Sequence, residues 1–180
     1  NNKQKSIKKF TQSIFFAGCF LIYANSLAQN RDINLLRSIN PQQPNSFVWK
    51  GFTSSAYPLS VAVPVGIWVD GAIKHDTKTK QNAYQIAGSV IIATGAAEAM
   101  KIIFDRKRPF ETYNDVYPYQ YKQGQSFPSG HATLAFATAT SLSLEYKKWY
   151  IVVPAYAWAF GVGYSRLYLG EHYPTDVIGA

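Results

Sequence analysis

The chain has 180 residues, of which 18 are Lys or Arg and 10 are Asp or Glu, so its formal net charge is +8. This length is enough for one domain with a hydrophobic core and is short for two. Four lysines and no acidic residue lie within residues 1–28, and the other +4 is spread over the rest of the chain without forming a basic stripe. This distribution argues against a nucleic-acid-binding protein. The single cysteine, Cys19, excludes an intrachain disulfide.

The first 28 residues have the pattern of an export signal. Their four lysines precede an apolar core over residues 14–23, and Ser26-Leu27-Ala28 is a small-x-small cleavage site. The same segment could instead stay attached as a first membrane helix, whereas the bulky apolar neighbours of Cys19 argue against a lipobox. The chain does not begin with Met and stops where an apolar helix is starting. We therefore expect a trimmed piece of a somewhat longer protein.

Helical stretches are predicted along the rest of the chain. Residues 29–56 form a polar lead-in with a short helix expected around Ile33 to Ile39. The apolar stretches that follow lack the alternation of strands, which predicts an all-α helical bundle over residues 57–180. Its stretches are Leu59–Ile73, Ile86–Phe104, Ala132–Leu144, Tyr150–Tyr164 and an incomplete one from Val177, about six helices with the N-terminal segment. Ser54/Ser55 and Ser129 are candidate helix starts.

The loops favour a membrane-embedded bundle, although the apolar stretches are short for spans of about 20 residues. Lysines lie in the loop of residues 74–80 and in the loop of residues 147–148. If the N-terminal lysines are inside, alternation puts both basic loops inside as well. The same count puts residues 105–130 and 165–172 together on the outer face. A soluble helical bundle is the alternative.

The outer-face segments contain groups that suit a phosphoryl group. Lys101, Arg108 and Arg166 provide fixed positive charge, and arginines bind phosphate through paired hydrogen bonds. Ser129 adds a hydroxyl. The amide of Gly130 lies at the first turn of a predicted helix, where free N–H groups and the helix dipole favour an anion.

Two imidazoles, His131 and His172, suit the covalent chemistry of phosphoryl transfer. One of them attacks phosphorus and the other protonates the departing oxygen; the residue types alone do not say which. Asp176 lies one helical turn after His172 and can accept a hydrogen bond from its Nδ1–H, which leaves Nε2 unprotonated. Pro174 suits the first turn of the helix that holds this pair.

The motifs K-x6-R-P, P-S-G-H and S-R-x5-H-x3-D occur complete and in order. Over about residues 57–180 the chain resembles the type 2 phosphatidic acid phosphatase superfamily, which includes bacterial class A acid phosphatases and vanadium haloperoxidases. The resemblance implies a helical bundle, a metal-free active site without a cofactor, a phosphohistidine intermediate and inhibition by vanadate. It implies that His172 is the nucleophile, His131 the general acid and Asp176 the partner of His172. The phosphate ligands that it implies are Lys101, Arg108, Ser129, Gly130 and Arg166.

These observations predict a phosphatase of a membrane lipid phosphate or pyrophosphate, in the bacterial inner membrane with its site facing the periplasm. A soluble periplasmic acid phosphatase of broad range is the alternative. A vanadium haloperoxidase is less favoured because the chain is short, and a non-catalytic anion-binding module is disfavoured because both histidines are present. Outside the motifs, Arg106 and Lys107 are expected to be solvated charges, and His75 and Asp76 a solvated loop. The phosphate ester and the oligomeric state stay open.

Overall fold

The computed structural model describes residues 30–180, and within this range the secondary structure is α-helical without a strand. A first helix, α1, covers residues 30–39. The helices that follow are α2 (Phe47–Ile73), α3 (Thr77–Phe104), α4 (Pro109–Thr112), α5 (Gly130–Glu145), α6 (Trp149–Tyr168) and α7 (Pro174–Ile178). The all-α prediction is confirmed. The expected export signal or membrane helix at residues 1–28 lies outside the described residues.

Helix α2 begins earlier than the sequence predicted. The apolar stretch was expected from Leu59, with a start signal at Ser54/Ser55, whereas the helix begins at Phe47 with Ser46 at its N-cap. The polar lead-in of residues 29–56 therefore contains α1 and the first ten residues of α2. The reason is tertiary packing, because Phe52 and Ala56 pack against α5 and α6 and stabilise a helix that local composition does not favour.

Small side chains hold α2, α5 and α6 together. The core between them consists of fully buried Ala56, Ala135, Ala139, Ala159 and Val162. Residues of this size let helix axes approach closely, as in membrane bundles. Gly161 illustrates the fit, since a Cβ added there would lie 2.4 Å from the ring of Phe52.

The four long helices alternate in direction, which brings four helix ends together. The first half of α2 contacts the start of α5 through the ring pair of Tyr57 and His131, and it contacts the end of α6 through Thr53 and Arg166. The basic α2–α3 and α5–α6 loops lie at the other end of the bundle. This arrangement agrees with the prediction that residues 105–130 and 165–172 share one face.

Helix α2 and the stretch Thr77–Thr112, which contains α3 and α4, are long and apolar enough to cross a membrane. At about 1.5 Å per residue, the 27 residues of α2 exceed the roughly 30 Å of a hydrocarbon core. Only 22% and 17% of the residues in their most apolar segments are buried. Side chains such as Val61, Ile91 and Ile92 are 64–74% exposed, so an apolar surface faces outward. A membrane-embedded bundle presents such a surface to lipid.

Helix α1 packs across the end of the bundle where the motifs lie. Its Ile33 and Leu36 are buried in a cluster with Val116, Leu167 and Tyr173. The lead-in is therefore part of the folded unit.

Candidate active site

The second motif lies against both of the other two. Lys101, near the end of α3, places its Nζ beside Gly130, because a Cβ added at this glycine would lie 3.4 Å from the ammonium nitrogen. The amide of Ser129 donates to the carbonyl oxygen of Asp176 at 2.9 Å. Lys101 also forms an ion pair with Glu98 at 2.6 Å, so it combines a local helix contact with a position at the motif loop. The structure thus brings the three motif segments into contact.

Both arginines of the predicted site converge on Glu171, which the sequence analysis did not single out. Arg166 Nη2 lies 3.1 Å from Glu171 Oε2, and Arg108 Nη1 lies 3.4 Å from the same oxygen. Arg108 Nη1 also donates to the carbonyl oxygen of Glu171 at 3.0 Å. Arg166 and Glu171 are each 1% exposed. One buried carboxylate therefore orients two guanidinium groups and leaves the group of three with a net positive charge, which suits an anion.

Two buried hydrogen-bond donors within the motifs have no partner among residues 30–180. They are the hydroxyl of Ser129 and Nε of Arg166. Ser129 occupies the N-cap position of α5, as predicted, yet its side chain makes no capping hydrogen bond. Because a buried unpaired polar group costs about 1–3 kcal/mol, both atoms are suited to an acceptor supplied by a ligand. Phosphate oxygens are acceptors of this kind.

His172 is 2% exposed and contacts oxygen atoms through Nδ1. The carbonyl oxygen of Ser126 lies 2.8 Å from Nδ1, Asp176 Oδ2 lies 3.4 Å away, and the Ser126 hydroxyl 3.5 Å. Asp176 therefore lies beside Nδ1 as predicted, but the nearest acceptor is a backbone carbonyl that no motif names. A proton held on Nδ1 by these acceptors leaves the lone pair on Nε2.

Burial lowers the pKa of His172 to about 4, and the charges of Arg166 and Arg108 act in the same direction while Asp176 opposes them. Burial alone would raise the pKa of Asp176. However, the hydrogen bonds from His172 and Ser126 and the charge of Arg106 hold the pKa of that carboxyl below its ordinary value. The pair is thus a neutral imidazole beside a carboxylate near neutral pH. This is the state in which Nε2 can act as a nucleophile.

His131 follows Gly130 in the first turn of α5 and is half-buried. Its ring meets the ring of Tyr57 edge-on, with centroids 5.0 Å apart and an interplanar angle of 87°. This contact from α2 orients the imidazole at the end of the bundle where the motifs meet.

The expectation that Arg106 is solvated is wrong. Its guanidinium donates to Asp176 Oδ1 at 2.6 Å and to Asp32 Oδ2 at 2.7 Å, and both carboxylates are buried. Asp76 is also more than a solvated loop residue, since it caps α3 by accepting from the amide of Lys78 at 2.9 Å. Glu171 was missed because it lies in the x5 spacer of the third motif, where no residue type is specified, and Ser126 because it precedes the second motif, outside any specified position.

Within residues 30–180, no group of three His, Cys, Asp or Glu side chains lies close enough together to hold a metal ion.

Comparison with known proteins places this site in a family. The sequence model of the PAP2 superfamily matches residues 82–180, which include all three motifs. An undecaprenyl-diphosphatase of Sulfolobus acidocaldarius is 34% identical over 102 residues, covering 56% of this chain and 49% of that protein. The chain thus spans about half of the length of this archaeal relative.

Two solved structures share the fold. Aquifex aeolicus LpxE is 29% identical with a TM-score of 0.66, covering 82% of this chain and 86% of that one. The first transmembrane PAP2 type phosphatidylglycerolphosphate phosphatase from Bacillus subtilis is 25% identical with a TM-score of 0.66, covering 89% of this chain and 84% of that one. Together with the family match, these similarities confirm the resemblance drawn from the motifs. The chain belongs to the PAP2 superfamily.

Proposed function

We propose that this chain carries the active site of a phosphatase that hydrolyses a phosphate monoester or diphosphate of a membrane lipid through a phosphohistidine, without a metal or cofactor. The observation that carries the proposal is the pair of buried donors without a partner among residues 30–180, Ser129 Oγ and Arg166 Nε. Their motif segments meet that of His172, since the Ser129 amide donates to the carbonyl oxygen of Asp176 and the charge of Arg166 lowers the pKa of His172. A phosphate bound at this position gives both donors an acceptor. It also lies next to a nucleophile.

The phosphate is held by charge and by backbone geometry. Arg108, Arg166 and Lys101 offset the negative charge that develops on the non-bridging oxygens in the transition state. Ser129 Oγ and the amide of Gly130 donate at the start of α5, where the helix dipole adds to the attraction. The closeness of Lys101 Nζ to Gly130 supports a common role for the two residues.

The reaction proceeds in two steps. In the first, Nε2 of His172 forms a bond to phosphorus while the bond to the leaving oxygen breaks, and His131 donates its proton to that oxygen. In the second, water attacks phosphorus, the N–P bond breaks, and His131 takes the proton of the attacking water. Asp176 and the Ser126 carbonyl hold the proton on Nδ1, which stabilises the charge that His172 gains.

The apolar outer surface of α2 and α3 supports a lipid substrate, because it embeds the bundle in a membrane with the site at one end. The names of an undecaprenyl-diphosphatase and a phosphatidylglycerolphosphate phosphatase among the similar proteins support the same class. The lysines of the α2–α3 and α5–α6 loops favour an inside position for the opposite end of the bundle. We therefore place the site on the periplasmic side.

The test is a panel of substrates for the chain purified in detergent with EDTA present. The panel comprises phosphatidate, phosphatidylglycerophosphate, undecaprenyl diphosphate, lipid A and p-nitrophenyl phosphate. We expect kcat/KM to be highest for one of the lipids, competitive inhibition by vanadate, and no turnover by the matched variant His172→Ala. Turnover of p-nitrophenyl phosphate alone would favour the soluble broad-range phosphatase, and no turnover at all would refute the proposal.

A further inference from the structure

Arg106 connects helix α1 to the carboxylate that lies behind His172. Its Nη1 is 2.6 Å from Asp176 Oδ1, and its Nη2 is 2.7 Å from Asp32 Oδ2. The guanidinium carbon lies 3.9 Å from the centroid of the Tyr173 ring, so the aromatic face supports the group from one side. Both carboxylates of this charge-assisted bridge are shielded from water, while the Arg106 side chain is 27% exposed.

Asp32 also binds the chain directly before Asp176. Its Oδ1 accepts from the amide of Thr175 at 2.9 Å, and its Oδ2 accepts from the Thr175 hydroxyl. The same hydroxyl accepts from Arg106 Nη1 at 2.7 Å. One residue of α1 therefore fixes both the backbone of α7 and the arginine that reaches Asp176.

The two oxygens of Asp176 have separate partners. Oδ2 accepts from the Ser126 hydroxyl and from the amide of Tyr173, and it lies 3.4 Å from Nδ1 of His172. Oδ1 is held by Arg106. Rotation of the carboxylate about its Cβ–Cγ bond would move Oδ2 away from Nδ1, and the arginine opposes this rotation together with the two donors that hold Oδ2.

We propose that Asp32 and Arg106 are positioning residues that hold the Asp176–His172 pair in its reactive arrangement, and that α1 is thereby required for full turnover. The inference rests on the proposed function. It extends the site to α1, which lies outside the segment of residues 82–180 that matches the family. Its effect falls on the attacking nitrogen and not on the phosphate ligands. Loss of the bridge should therefore lower kcat more than it changes KM.

A pH signature distinguishes positioning from simple support of the fold. The charged groups around Asp176 are Arg106, His172 and, through Arg106, Asp32. The phenol of Tyr173 lies beside the guanidinium of Arg106. The charges of Arg108 and Arg166 lower the pKa of His172. Arg106 lowers the pKa of Asp176, so its removal raises the pH at which the coupled pair takes up a proton. The acid limb of kcat/KM then moves to higher pH.

The experiment compares variants of the full chain in detergent, with phosphatidate and p-nitrophenyl phosphate as substrates. For Arg106→Gln we expect kcat about 10–100-fold lower, the range for loss of groups that orient active-site ligands, with little change in KM and an acid limb at higher pH. Asp32→Asn keeps the ion pair of Arg106 and Asp176, so its kcat should decrease less than that of Arg106→Gln. Arg106→Lys should recover part of the loss and return the acid limb towards that of the unaltered chain.

Arg37→Gln is the matched control. It removes an exposed ion pair at 2.7 Å between the same helix and Asp115, without touching Asp176. We expect it to keep kcat and the pH profile. The inference is wrong if Arg106→Gln and Asp32→Asn both keep the kcat and pH profile of the unaltered chain. It is also wrong if Arg37→Gln lowers kcat as much as Asp32→Asn does. If Arg106→Gln does not fold, Asp32→Asn decides the matter alone. An unaltered chain that hydrolyses neither substrate, nor any lipid of the panel, would count against the proposed function instead.

Discussion

Replacing Ser129 by alanine should lower activity without lowering stability. In most proteins the loss of an N-cap serine costs about 0.5–2 kcal/mol, because a capping hydrogen bond is lost. Here the hydroxyl is fully buried, makes no capping bond and has no partner among residues 30–180. Its removal relieves an unpaired polar group, so the free energy of unfolding should stay constant or rise by about 1 kcal/mol.

The effect on catalysis has the opposite sign. If Ser129 donates to a phosphate oxygen, the variant loses one hydrogen bond to a charged group, worth about 1.5–3 kcal/mol. This range corresponds to a decrease in kcat/KM of about 10–150-fold at 1.4 kcal/mol for each factor of ten. The measurements are steady-state hydrolysis of a lipid phosphate in detergent and thermal unfolding of the same preparation.

Ser143→Ala is the matched control. Ser143 Oγ is also buried and without a partner in the described part of the chain, and it lies on the same helix, but near the α5–α6 loop. Ser143→Ala should keep kcat/KM, and its free energy of unfolding should stay constant or rise, as for Ser129→Ala. A Ser129→Ala protein that keeps full kcat/KM, or one that is destabilised as by the loss of a normal cap, would refute this account of the phosphate site.

Three further predictions concern pH, metals and topology. Because the pKa of His172 is lowered to about 4 and its neutral form attacks, kcat/KM should not decrease as the pH falls from about 7 to 5; a decrease with a midpoint near the ordinary histidine pKa of about 6.5 would contradict the burial argument. Activity should survive EDTA, since the site's own cations stabilise the transition state; complete loss in EDTA with rescue by Mg²⁺ would oppose this. In a chain whose Cys19 is replaced by Ser, cysteines at the exposed positions Tyr121 and Lys78 should be labelled from opposite sides of the membrane in intact cells, with position 121 outside. Labelling of both from outside would favour an exported soluble protein.

The convergence of the motifs could be predicted from the sequence. Each motif specifies residues at fixed local spacings, and the alternation of long apolar stretches brings the ends that carry them to one face. The N-cap position of Ser129 and the place of Pro174 in the first turn of α7 also follow from local rules.

The surroundings of the nucleophile could not be predicted in the same way. Arg106 and Asp32 are 74 positions apart, and Arg108 and Glu171 are 63 apart, so no periodicity or spacing relates the partners of either pair. The early start of α2 has a similar cause, since it depends on contacts of Phe52 with distant helices. In both cases the decisive interaction forms only when the bundle is packed.

The phosphohistidine at His172 is the central claim, and rapid acid-free quenching of the enzyme with ³²P-labelled substrate tests it most directly. The substrate is labelled p-nitrophenyl phosphate, whose leaving group needs little protonation, so His131→Ala should keep much of the rate of the first step. The second step should be slowed, because the group that activates water is gone, so the intermediate should accumulate. We predict protein-bound phosphate that is acid-labile and base-stable, that maps to His172, and that is absent in the double variant with His172→Ala. Protein-bound phosphate on another residue, or full turnover by His172→Ala alone, would contradict the account.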